Sequence, residues 1–204
     1  SAELIVKDFI KSGLNVSILR PRTILGHGRL GIFQILFDWI KNGQNVPVLG
    51  KGDNIYQFIH ADDLAEISYL ISKKDSPSTY NAGANEFCSM RESLEGLCGY
   101  AETGSKVVNF PFKIAEIGMN ISSKLGLSPL GKYHSLMYGR SLYFDNQKIV
   151  NDLGYSTKFD NISALCNSYD WYLENYEKIQ NSDTGSPHQN IVKQGILKCL
   201  KYLL

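Results

Sequence analysis

The sequence predicts an α/β fold: the last strands of a doubly wound parallel sheet, followed by a smaller and mostly helical lobe. Three observations carry that prediction. Short apolar runs alternate with stretches of helical periodicity through the first half of the 204-residue chain. The run Val16, Ile18, Leu19 closes at Pro21 and opens into a loop with Gly26 and Gly28 around His27, the way a strand ends at the ligand crevice of an open α/β sheet. Beyond Pro111 the periodicity is almost wholly helical.

Taken in order, residues 1–12 read as a helix with Leu4, Ile5, Phe9 and Ile10 to one side, and Gly13 stands where a C′ glycine ends it. Val16 to Leu19 is a strand of buried type. Gly31 to Lys41 is helical, with Ile32, Ile35, Leu36, Trp39 and Ile40 recurring and Gly43 beyond. Val46 to Leu49 and Ile55 to Ile59 flank Gly50-Lys51-Gly52-Asp53, which predicts a hairpin. Asp62 or Asp63 caps the next helix, whose core face is Leu64, Ile67, Leu70 and Ile71. Thr79 to Ala82 is a short strand ending at Gly83. Ser89-Met90-Arg91-Glu92 is a capping box that opens a helix to about Gly99. Lys106 to Phe110 is a strand stopped by Pro111, and Phe112 to Leu125 a helix. Asp145 caps a helix that ends before Gly154. Asn161 caps another through Tyr176, with Leu165, Tyr169 and Tyr172 along one side. The expected organisation is one body over residues 1–179, a polar linker at 180–190, and an amphipathic helix at 191–204 with Val192, Ile196, Cys199, Leu200 and Leu203 on one face.

Composition narrows the function. The formal net charge of +1 offers no electrostatic basis for nucleic acid as a partner. No apolar run approaches the ~20 residues of a membrane span, and no leader pattern is visible at the start, so a cytoplasmic protein is expected. The 4 cysteines (Cys88, Cys98, Cys166, Cys199) lack C-x-x-C spacing and read as reduced thiols. The 4 histidines show no zinc-binding helix pattern, and no metal is expected.

Several short pieces then follow one another: Leu19-Arg20-Pro21 with Gly26, Pro47 to Gly52, Phe58-Ile59-His60 with Asp62-Asp63-Leu64-Ala65, Tyr80-Asn81-Ala82-Gly83, and Leu153-Gly154-Tyr155. Their order and spacing resemble the C-terminal part of the extended short-chain dehydrogenase/reductase family, of the NAD-dependent epimerase/dehydratase, nucleotide-sugar type. The resemblance implies a Rossmann-type sheet remnant with a substrate-binding lobe. It implies NAD or NADP as cofactor, a nucleotide sugar as substrate, and a homodimer in the full-length form. In that family a catalytic Tyr-x-x-x-Lys precedes a helix bearing a glutamate four residues after the lysine. Glu3 matches that glutamate, so the tyrosine, the lysine and the glycine-rich phosphate loop would all precede Ser1. No catalytic residue is therefore expected in this chain, and the chain alone is expected to be inactive.

The resemblance also implies a set of contacts. Pro21, Arg22 and Thr23 would meet the nicotinamide through their backbone at the strand's carboxyl end; the plainer reading is a strand-ending proline with a solvated Arg22. Gly31, Phe33 and Gln34 would belong to the segment that closes over the nucleotide, or else to an ordinary helix start. Val48 and Leu49 would flank the base, or else form a core strand. Gln57 stands where sugar-nucleotide epimerases carry a diphosphate-binding arginine, and it lacks that residue's charge and fork. Arg140, ahead of Asp145-Asn146-Gln147-Lys148, would supply the missing cation, or else lie solvated on the surface. His60 reads as a satisfied buried histidine and Asp63 as a cap or loop-pinning carboxylate. Two alternatives stay open: a reductase of a small carbonyl compound on the same fold, favoured by Gln57, and a non-catalytic binding or regulatory half-protein.

Overall fold

A computed structural model describes residues 2–111 and 139–181. The helices expected at 112–125 and 191–204, with most of the expected linker, lie outside the described residues. The elements run α1 (Ala2–Lys11), β1 (Ile18–Pro21), β2 (Thr23–Leu25), α2 (Phe33–Lys41), β3 (Val46–Leu49), β4 (Phe58–His60), α3 (Ala61–Ser72), β5 (Thr79–Ala82), α4 (Met90–Ala101), β6 (Val107–Phe110), α5 (Gln147–Leu153), α6 (Asn161–Glu174) and α7 (Tyr176–Asn181).

Every named strand pairs in parallel, as β1 with β5, β2 with β4, and β3 with β6. Strand β4 shows why the fold has two layers of helices. Adjacent residues of a strand point to opposite faces. Phe58 enters the core built from α2, β3, α4 and α6, while Ile59 enters a second core with Ile67 of α3, Tyr80 and Ala82 of β5, and Ile149 of α5. A strand buried on both faces is the mark of a covered parallel sheet, as the sequence predicts.

The strand expected at 16–19 sits two residues later at the same length of 4 residues. Pro21 belongs to it, facing Ala82. Ile18 N–H donates to Ser78 O (2.8 Å) and Arg22 N–H to Ala82 O (2.8 Å), so even-numbered residues bond β5 and Pro21's missing donor is turned away from it. At Arg22 the chain changes partner. Residues 18–21 lie on β5, and residues 23–25 lie on β4.

The hairpin does not form. Strand β3 pairs with β6, with Val46 opposite Val107 and Leu49 opposite Phe110, while Ile55 bridges Ser89. The alternation of buried Val46 and Val48 with half-buried Pro47 and Leu49 suits either pairing. The burial of both valines in the core with α2 and α4 decides between them, and that burial depends on distant sequence.

Capping differs in detail. The box of Ser89 with Glu92 forms as expected. Helix α3 is capped by the His60 ring, which accepts from Asp62 N–H (3.2 Å), and not by Asp62 or Asp63. Helix α6 is capped by Asp160 with Ser163. Asn161 is instead buried and sutures α6 to the strand before it, accepting from Phe58 N–H (3.1 Å) and donating to Tyr56 O (2.7 Å). The helix expected through Tyr176 breaks at Asn175, and α7 runs into the expected linker. Helix α1 buries none of its residues, and Leu4, Ile5 and Phe9 stay more than half exposed. It is tied to β1 by Arg20, which donates from Nε and Nη2 to the two oxygens of Glu3 (2.7 and 2.5 Å). That fork holds the Glu3 carboxyl below its usual range.

Asp63 is fully buried and pins a loop, as one of the two expected roles had it. It accepts from Tyr155 Oη (2.7 Å), Lys158 N–H (2.9 Å) and Phe159 N–H (3.2 Å). Burial, with this carboxylate beside it, pushes the Tyr155 hydroxyl upward. Asp63→Asn keeps the shape but replaces one accepting oxygen with a donor. A loss of about 2 kcal/mol is expected, read from urea unfolding, because a buried N–H or O–H is left unmatched.

Candidate functional site

The site grows from the break at Arg22. Four strand ends converge there. Arg22 N–H holds Ala82 O at the end of β5, and Ala84 N–H holds Phe58 O (2.7 Å) at the start of β4. Between them Gln57, fully buried, donates to Ala84 O (2.8 Å) and accepts from Phe144 N–H (2.8 Å). Gly83 makes room for it: a Cβ there would fall on the Gln57 amide. The segment from Arg140 to Phe144 runs alongside. Leu142 N–H donates to Ile55 O (2.8 Å), Ile55 N–H donates to Ser141 Oγ (3.0 Å), and Asn54 Nδ2 donates to Arg140 O (3.3 Å). Thr23 Oγ1 meets Tyr56 Oη at 2.7 Å. The guanidinium carbon of Arg22 lies 5.1 Å from the ring centres of both Tyr56 and Phe144.

The residues expected from sequence are distributed as follows. Pro21, Arg22 and Thr23 stand at the carboxyl end of β1. Arg22 is buried and not solvated, at 6% exposure, because aromatic rings cover it. Arg140 is exposed and stands beside Asn54, on the segment that reaches Phe144. Gln57 is placed in the same node, where its amide bonds the backbone of Ala84 and Phe144 and sutures the strands. Phe33 packs edge-on against Phe58 (5.3 Å) and Val48 lies in the same core, while Gln34 is buried in α2. Gly31 and Leu49 are half-buried. Sequence reasoning did not find Tyr56 or Phe144. Nothing local marks them, since each is an aromatic residue in an apolar run.

The Tyr-x-x-x-Lys spacing does occur within the chain, at Tyr69 and Lys73. It lies on the exposed last turns of α3, with Lys73 Nζ over the Tyr69 ring (4.9 Å) and not beside its hydroxyl. That helix starts at the carboxyl end of β4 and leads away from it, so this pair is remote from the node. Among the described residues His27, His60 and Asp62 come close enough to hold a metal ion. The donor set does not fit one. The His60 ring accepts from Asp62 N–H at Nδ1 and meets Asn167 Oδ1 at Nε2 (3.0 Å), which leaves no ring nitrogen free.

Parallel strands buried on both faces, with a partner switch at a strand's carboxyl end, define a class: the doubly wound, Rossmann-type α/β fold. The model of the NAD dependent epimerase/dehydratase family matches residues 1–83, and the resemblance read from the sequence holds there. The uncharacterized protein y4nG of Sinorhizobium fredii (strain NBRC 101917 / NGR234) is 46% identical over 205 residues, covering 100% of this chain and 52% of that protein. The epimerase Mth375 from Methanothermobacter thermautotrophicus has a similar fold, with a TM-score of 0.68 at 18% identity, covering 88% of this chain and 50% of that one. So does dTDP-glucose 4,6-dehydratase from Bacillus anthracis str. Ames in complex with NAD, with a TM-score of 0.62 at 17% identity over 87% and 51%. Other similar folds were solved with NADPH. The chain spans about half the length of these relatives. Among the described residues no helix is long and apolar enough to cross a membrane.

His60 yields a pH prediction. Its ring is buried, stacked on Phe159 (3.8 Å) and fully bonded in the neutral form, and burial pushes its pKa below the ordinary 6.5. The unfolded chain therefore binds a proton more readily than the folded one. This contribution is complete above about pH 6.5 and is lost as pH falls through the lowered folded value. Melting curves should show the native chain losing stability from pH 7 to pH 5. His60→Asn, which retains a capping acceptor, should lose less across that window.

Proposed function

We propose that this chain is the substrate-side portion of an NAD(P)-dependent enzyme that acts on a nucleotide-linked sugar by epimerase or dehydratase chemistry. The observation that carries the reading is the partner switch at Arg22. It puts the backbone of Pro21, Arg22 and Thr23 at the carboxyl ends of parallel strands, where open α/β sheets bind ligands. In this reading those three residues face the nicotinamide, while Gly31, Leu49 and Arg140 border the nucleotide. The family match over residues 1–83 supports the cofactor class. The nucleotide-sugar enzyme among the similar folds supports the substrate class. A tyrosinate whose pKa is lowered by a neighbouring lysine would take the sugar's hydroxyl proton as hydride passes to the nicotinamide. By resemblance those two groups come from polypeptide preceding residue 1.

One observation favours a second reading, a reductase of a small carbonyl compound. Gln57, in place of a cation, is used up by Ala84 and Phe144, which leaves Arg140 as the candidate for a diphosphate.

A thermal-shift comparison separates the two. On the full-length protein containing this chain, UDP-glucose or dTDP-glucose with NAD should raise the melting temperature, because a ligand bound only by the folded state stabilises it. Arg140→Ala should remove most of the sugar-nucleotide shift and leave the NAD shift. A shift with NAD and small ketones alone would select the reductase. The 204-residue chain by itself is expected to show no nicotinamide reduction at 340 nm; steady turnover would overturn the assignment of catalytic groups to polypeptide outside it.

A further inference from the structure

Arg20 and Arg22 stand two residues apart, and their side chains have different fates. Arg20 uses Nε and Nη2 as a side-on fork and takes both oxygens of the Glu3 carboxylate. Arg22 buries the same two nitrogens, Nε and Nη2, and neither has a hydrogen-bond partner among the described residues. Arg22 is 94% buried as a residue and has no ion-pair partner among those residues, whereas buried cations are ordinarily paired. The rings of Tyr56 and Phe144 interact with its face. They do nothing for the N–H groups, which donate in the guanidinium plane.

The platform is built to stay in place. Phe144 is held by its backbone N–H to Gln57, Tyr56 is 2% exposed, and the Tyr56 hydroxyl is held by Thr23. The backbone of Arg22 is held by β5. A cation held in one orientation, with its bidentate edge unsatisfied, is an oxyanion receptor.

We infer that the Arg22 side chain binds an oxyanion, a carboxylate or phosphate group of the ligand, through Nε and Nη2. The claim deepens the reading above by adding a side-chain charge contact to the backbone contacts of this turn. It rests on that reading only for the identity of the ligand.

The test is a titration of the 204-residue chain followed by the Nε–H resonance of Arg22, assigned by its loss in Arg22→Lys. Sodium phosphate and sodium acetate are added separately, with sodium chloride at matched ionic strength as the control. The expected result is a saturable downfield movement with phosphate or acetate and none with chloride. The stronger response tells whether the natural group is a phosphoryl or a carboxylate. Arg22→Lys keeps the charge and loses the fork, and its affinity for that anion, from calorimetry, should fall about tenfold or more. No movement with either oxyanion, or equal movement with chloride, overturns the inference; so does undiminished affinity in a folded Arg22→Lys. Where that variant does not fold, the Nε–H resonance is assigned through its own side-chain carbons in the native chain, and the native titration decides. Phosphate or acetate binding at Arg22 together with no thermal shift from any nucleotide sugar would remove the substrate reading and leave the receptor standing.

Discussion

The structure depends on one buried amide. Gln57 occupies the space that Gly83 leaves empty, and its two ends take the backbone of Ala84 and of Phe144. Three stretches of chain far apart in sequence are held in one place by that side chain. A buried amide costs heavily when unmatched, so this geometry is nearly all-or-none. Asn161 repeats the device one step along, binding both Phe58 N–H and Tyr56 O and so fixing α6 on the strand that carries the node.

The same constraint shapes the candidate site. Because Gln57 fixes Phe144, and Asn161 fixes Tyr56 through its backbone, the two rings over Arg22 are positioned by polar bonds and not by apolar packing alone. Apolar contacts tolerate sliding, whereas hydrogen bonds specify distance and direction. The break between β1 and β2 falls at Arg22. The residue is thus rigid in backbone, clamped in side chain, and unsatisfied at its donor edge. A rigid donor that is not consumed by its own protein is suited to binding, since little ordering remains to be done when a partner arrives.

Much of the architecture was readable because it rests on local physics. The helical periods of 33–41 and 90–101, the strand Thr79 to Ala82 and the box of Ser89 with Glu92 need only near neighbours. The hairpin failed for the opposite reason. A glycine-rich turn between two apolar runs is locally persuasive, yet β3 is claimed by β6, some sixty residues on, through burial of Val46 and Val48. Capping failed in the same way at α3 and α6, where several polar residues in a row could serve and tertiary contacts chose among them. Asp63 was drawn off to the loop around Tyr155 and Asn161 to the strand of Tyr56, leaving His60 and Asp160 as caps.

The sequence by itself determined the class of fold and the approximate place of the strand that carries the candidate site, because apolar alternation, proline and glycine act within a few residues. Only the tertiary structure decided what the polar residues do. Gln57 and Arg22 are both polar residues beside apolar runs. Burial turned the first into a suture and left the second with an unmatched edge, since the worth of a buried polar group depends on which atoms the rest of the chain brings to it.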